Sequence, residues 1–229
     1  MPGVAVFNEH AEEYDRWFEE HSRAYHAEVN ALRRFVPRTG LGVEIGAGTG
    51  RFAVPLGVSI GVEPARGMAE RASRRGVSVV QALGEQLPFH AAQFDWAVLV
   101  TAICFVTDVA TLLREVHRVL RAGGWLINAF IDRDSALGRV YESRKAAHTF
   151  YRHAHFYSAA EVATWTRQAG FGGLRFCQTI LGFPDDSQQT YEVRDGYGEG
   201  AFVVLSAERR SPLLPAPYRH GGDKAGAAY

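Results

Sequence analysis

Residues 43–50 read Val-Glu-Ile-Gly-Ala-Gly-Thr-Gly, a short apolar strand running straight into a loop with a glycine at every second position. Few folds place such a sequence comfortably. Glycine adopts turn conformations that side chains resist, and it lets a ligand approach the backbone closely. A helix predicted at 51–56, just beyond the loop, offers unpaired N–H groups and partial positive charge to an anion. The dinucleotide spacing G-x-G-x-x-G would need its third glycine at position 51. That residue is Arg51, and the third glycine is Gly50 instead. A glycine loop taken alone also reads as an ordinary tight turn.

The flanking segments supply an alternation of strand and helix. Strands are predicted at 42–45, 58–63, 77–81, 95–100, 125–131, 174–181 and 201–207. A helix at 64–75 is stopped by Gly76. Val109, Leu112, Leu113, Val116, Val119 and Leu120 recur at helical spacing behind the N-cap Asp108, and Gly123-Gly124 is read as the end of that helix. Ser158 and Glu161 form a capping box before a helix that stops at Gly170. Such alternation predicts an α/β, doubly wound, mostly parallel sheet of seven strands with helices on both faces. Ligands in these sheets sit beyond the C-terminal strand ends. Residues 1–36 carry Tyr14, Trp17, Phe18, Tyr25, Val29 and Leu32 at helical spacing, ended by Pro37 and Gly40. The expected organisation is a helical cap over 1–40, a main domain over 41–210 and a tail over 211–229. The small residues and Gly221-Gly222 of the tail predict disorder.

Charge narrows the partners. Twenty-five basic residues balance twenty-five acidic ones in a chain of 229. A net charge of zero gives no overall field to draw in nucleic acid or an anionic membrane. Cys104 and Cys177 belong to no C-x-x-C pair, and no metal site is expected. Few cysteines and no N-terminal apolar segment suggest a cytoplasmic setting. Apolar runs such as 96–100 are too short to span a bilayer, so no membrane insertion is expected.

Further motifs follow in order. The second strand ends in Gly61-Val62-Glu63-Pro64, which places a carboxylate where ribose hydroxyls are held in nucleotide folds. The third leads into Gln81-Ala82-Leu83-Gly84-Glu85-Gln86-Leu87-Pro88-Phe89, with Phe94-Asp95 soon after. Later come 113–124, Leu-Arg-Glu-Val-His-Arg-Val-Leu-Arg-Ala-Gly-Gly, then Phe156-Tyr157-Ser158 with Ala169-Gly170-Phe171. Near the start lies Tyr14-Asp15-Arg16-Trp17-Phe18. Together, over about residues 10–207, the chain resembles the class I S-adenosylmethionine-dependent methyltransferases, in particular the ubiquinone/menaquinone-biosynthesis type. Two positions depart from that pattern. Twelve residues separate Gly50 from Glu63, so the first helix is short, and Leu83 stands where the family often has an acid.

The resemblance implies a Rossmann-like sheet with an antiparallel last strand, S-adenosylmethionine as cofactor, and methyl transfer to a small-molecule acceptor. It implies that Gly46, Ala47, Gly48 and Gly50 line the methionine moiety. Glu44 would bond the loop or, through water, the cofactor's ammonium. Glu63 would hold the ribose, and Ala82, Leu83 and Gly84 would flank the adenine. Thr101 would face the methionine side, and Tyr14 would close over the cofactor. Tyr141, Tyr151, His153, His155 and Tyr157 fall where the family builds its acceptor pocket. His153-x-His155 reads as a base, a metal pair or surface histidines of a polar lid. No catalytic residue is assigned. Three other functions stay open: a cofactor-binding regulator or scaffold without turnover, a nucleic-acid methyltransferase, and a nicotinamide dehydrogenase. The second is disfavoured because 101–104 lacks an Asn/Asp-Pro-Pro-Tyr motif, and the third by Arg51.

Overall fold

A computed structural model of the chain describes residues 2–182 and 191–210. The tail expected at 211–229 lies outside the described residues. The leader forms three helices, α1 (Pro2–Glu9), α2 (Ala11–Glu20) and α3 (Ser22–Arg33). His10 and His21 leave helical geometry at the junctions, with ψ of 24° and 41°, so the leader bends around the body of the protein.

The alternation then runs β1 (Gly42–Ile45), α4 (Ala53–Leu56), β2 (Ile60–Val62), α5 (Arg66–Arg74), β3 (Ser78–Val80) and β4 (Phe94–Val100). It continues with α6 (Val109–Val119), β5 (Leu120–Ile131), α7 (Ala136–Arg144), α8 (Ala159–Gln168), β6 (Phe171–Leu181), β7 (Arg194–Asp195) and β8 (Gly200–Arg209). The strands form one sheet in the order β3-β2-β1-β4-β5-β8-β6-β7. β1 pairs in parallel with β2 and β4, and β8 runs antiparallel between β5 and β6. The Rossmann-like α/β class with an antiparallel last strand is therefore observed. The sheet has eight strands rather than seven, because the two-residue β7 adds to the edge beside β6.

β4 shows why the sheet is covered on both faces. Trp96, Val98 and Val100 join a core with Phe18, Leu32 and Phe52 on one side. Ala97 and Leu99 join Leu112, Val116 and Val162 on the other. This is the period-two alternation of a strand buried on both faces. α6 stops at Val119, four residues before the expected Gly123-Gly124. Leu120 is already extended and pairs with Phe94. The two glycines lie inside β5, where a Cβ on Gly124 would stand 2.8 Å from the Arg121 carbonyl oxygen. Successive strands depart from β1 in opposite directions, towards β2 and towards β4, so the switch point lies at the C-terminal ends of β1 and β4.

Candidate cofactor and acceptor cavity

A cavity of about 1000 Å³ opens at that switch point. Its floor includes Ile45, Gly46 and Gly48 after β1, Glu63 after β2, Leu83 and Gly84 after β3, and Val100 and Thr101 at the end of β4. The wall continues through Ile131 of β5, Tyr141 of α7 and Ile180 of β6, with Phe7 and Tyr14 of the leader above. From β2 to β6 is five strand spacings, or about 24 Å. The volume lies at the upper end of the roughly 300–1000 Å³ common for a single ligand site.

The glycine loop is organised from within. Gly46 and Ala47 both donate to the Val62 carbonyl oxygen, at 2.8 and 2.9 Å, and Gly50 donates to Ala47 at 2.8 Å. Gly48 donates at 2.8 Å to the Glu63 carboxylate, whose other oxygen accepts from Ala65 at 2.8 Å. These bonds fix the carboxylate at the cavity edge with lone pairs to spare. Burial pushes Glu63 above the ordinary carboxylate range, against the two backbone bonds. Gly46 has φ of +76°, and a Cβ there would lie 2.7 Å from the Ala102 Cβ. Glycine is required at that position by conformation and by space. Since α4 is a single turn, the anion-binding helix terminus expected after the loop is reduced to little, and the loop amides are spent on the protein itself.

Seven of the eleven expected binding residues line the cavity: Tyr14, Gly46, Gly48, Glu63, Leu83, Gly84 and Thr101. Four do not reach its wall. Glu44 lies behind the loop at 1% exposure, where burial and then the neighbouring Glu63 hold its carboxyl well above the ordinary range. Its Oε2 has no hydrogen-bond partner among the described residues. Ala47 is turned back against Gly61, and Gly50 against Ala72 of α5 and Val77. Ala82 packs on the cluster of Val43, Ile45 and Val62.

Thr101 and Ile180 hold positive φ angles of +49° and +59°. For β-branched residues this is strained backbone, on the order of 1–3 kcal/mol each. Both face the cavity. Glu85, two residues after Leu83, accepts from the Thr107 N–H at 2.7 Å. Cys104 is a buried thiol pushed up to about 12 by burial, and it donates to the Thr101 carbonyl oxygen. Tyr141, Tyr151, His153, His155 and Tyr157 all border the cavity, as their position in the chain suggested. Among the described residues no group of three His, Cys, Asp or Glu side chains is placed to hold a metal ion.

Two features went unread in the sequence. Asp15 of α2 is buried against the loop and accepts from Thr49 Oγ1, Arg51 Nε and Arg75. Burial alone would raise its carboxyl. The bonds from Arg51, Arg75 and Thr49 outweigh burial and hold it at about 2. Arg51, the residue that broke the dinucleotide spacing, is thus the clamp between leader and loop. The second is Glu28 of α3, a buried acid on the cavity wall. Its signal was its spacing, one turn from Tyr25 and from Leu32 on the apolar stripe of the leader.

Residues 43–128 match the family model of a methyltransferase domain. A crystal structure from Thermotoga maritima, described as an S-adenosylmethionine-dependent methyltransferase and possible histamine N-methyltransferase, superposes with a TM-score of 0.86 at 45% identity, covering 90% of this chain and 99% of that one. An uncharacterised protein of Methanocaldococcus jannaschii is 44% identical over 89% of this chain and 98% of its own length. The demethylmenaquinone methyltransferase of Roseiflexus castenholzii is 36% identical over 38% of this chain and 41% of its own length.

Proposed function

This chain belongs to the S-adenosylmethionine-dependent methyltransferases, and from that premise we propose that its acceptor is a small molecule held in the half of the cavity over β5, β8 and β6. One observation carries the reading. The cavity extends without interruption from Glu63, on the side of the glycine loop, to Tyr141 and Ile180, well beyond the residues expected to hold the cofactor.

Bound S-adenosylmethionine supplies a methyl group on a positively charged sulfur. The protein's part is orientation and exclusion of water. Glu63 accepts from the ribose hydroxyls with the lone pairs its backbone bonds leave free. Leu83 and Gly84 flank the adenine, Gly46, Gly48 and Thr101 give the methionine end its room, and Tyr14 covers it. Gly48 suits this role because a Cβ there would meet nothing nearer than the Tyr14 ring at 3.7 Å, so the space above it is open to a ligand. Residues 1–40 serve as the cap, clamped through Asp15. Two free cysteines, both buried, fit a reducing, cytoplasmic setting.

A nucleic-acid acceptor is disfavoured by the wall itself. Among the described residues Glu13, Glu20, Glu28, Glu63 and Glu85 line it against one arginine, Arg16, and no lysine, the reverse of a phosphate-binding surface. No described helix is long and apolar enough to cross a membrane. The test is incubation with methyl-labelled S-adenosylmethionine and either a small-molecule extract or total RNA. Label in small molecules, lost with Glu63→Ala, supports the reading. Label in RNA alone overturns it.

A further inference from the structure

Glu28 is a carboxyl that the fold does not explain. It sits on α3 next to the buried Ala27 and Val29, at 6% exposure, and its side chain borders the cavity. Among the described residues it takes part in no hydrogen bond or ion pair, and burial is the one influence on its carboxyl, which is pushed up to about 8. A buried acid of this kind costs the fold stability and returns nothing while the cavity is empty.

Its surroundings suit one kind of guest. Tyr14 of α2, Tyr141 of α7 and Tyr151 of the following turn are close enough to feel its charge. Tyr141 and Tyr151 have ring centres 5.1 Å apart, and Phe156 stands 5.3 Å beyond Tyr151. Aromatic faces attract organic cations, most strongly where water is excluded. A carboxylate facing the same space adds a charge-assisted hydrogen bond. Among the described residues Arg16 is the one arginine or lysine on the wall, beside His21, His148, His153 and His155; it is largely exposed and bonds instead towards Glu12.

We propose that Glu28, with the rings of Tyr14, Tyr141 and Tyr151, is the anchor for the acceptor, and that the acceptor is therefore a small organic amine with its charged nitrogen against the Glu28 carboxylate. This rests on the methyltransferase reading above and names the substrate class for the same cavity. Glu28 is a positioning group here. At neutral pH it is mostly protonated while the cavity is empty, and it gives its proton to water when the cation arrives.

Calorimetry on the whole protein tests this, first with S-adenosylhomocysteine and then, on the loaded protein, with three amines and their alcohol counterparts. The pairs are phenethylamine with 2-phenylethanol, tryptamine with tryptophol, and n-butylamine with n-butanol. At least one amine should bind roughly tenfold or more tighter than its alcohol, the scale of one charge-assisted hydrogen bond. In Glu28→Gln that preference should fall below about twofold, with the affinity for S-adenosylhomocysteine unchanged, since one charge-assisted bond has been replaced by a neutral one. Equal binding of all amines and alcohols by the wild-type protein overturns the proposal and needs no variant. So does a preference that survives in Glu28→Gln. Failure of S-adenosylhomocysteine itself to bind overturns the methyltransferase reading, a distinct result visible before any amine is added.

Discussion

Glu28→Gln should stabilise the protein, increasingly so as pH rises above the ordinary carboxylate range. Glutamine keeps the shape of the neutral acid and cannot ionise. In the wild type the folded-state value is raised from 4.5 to about 8 by burial. The contribution of a raised acid is fully present below its unfolded value and is lost as pH rises through its folded one. The loss therefore spans pH 4.5 to 8. A displacement of this size corresponds to on the order of 3–5 kcal/mol once the group is forced to ionise, with cavity water favouring the lower end. For a chain of this length each kcal/mol moves the melting temperature by roughly 2–4 °C. Thermal melts followed by circular dichroism should show the variant level with the wild type at pH 4 and about 10 °C above it at pH 9. Other titrating groups act on both proteins and cancel in the difference. A difference that is the same at both pH values would refute the reasoning, because it would mean that Glu28 ionises as freely as an exposed acid.

The other perturbations separate clamp, loop and ribose contact. Asp15→Asn removes the charge shared by Arg51 and Arg75 and should cost about 3 kcal/mol, read as a drop in melting temperature at pH 7. Because Asp15 is held at about 2, the gap from wild type should be complete above pH 4 and close as pH falls through 2, which melts at pH 2 and pH 7 would show. Glu63→Ala should weaken S-adenosylhomocysteine binding by roughly 10- to 150-fold, the value of a charge-assisted contact, measured by calorimetry. Gly50→Ala should lower stability by about 1–2 kcal/mol in a urea titration, since φ is +81° and its Cβ would press on Ala72 at 3.1 Å. Gly48→Val should instead abolish most ligand affinity, because its side chain points to Tyr14 and the cavity.

Much of the fold was legible because each element announces itself locally. The capping box of Ser158 and Glu161 forms as its spacing predicts, and β1 occupies the expected four residues. The end of α6 was not legible, because Gly123-Gly124 looks like a helix stop while the pairing of Leu120 with Phe94 had already ended the helix by a long-range bond. β7 is two residues of Arg and Asp with no apolar pattern, held by its pairing to β6. At the site, the loop and Glu63 could be read from strand-end positions. Which loop residues face the cavity could not, since Gly46, Gly48 and Gly50 share one sequence signature. Only their packing sends Gly50 towards α5. Asp15 and Glu28 were hidden for a common reason. A charged residue within a helical leader reads as solvated, and burial of either depends on the leader folding back over the loop.

The central claim is that the space over Gly46, Gly48 and Glu63 is a cofactor site for S-adenosylmethionine. Its most direct test is calorimetric titration of the purified protein with S-adenosylhomocysteine, with NADH run in parallel. Micromolar binding of the first with no heat from the second is the predicted result. Binding of NADH alone, or of neither, would contradict it.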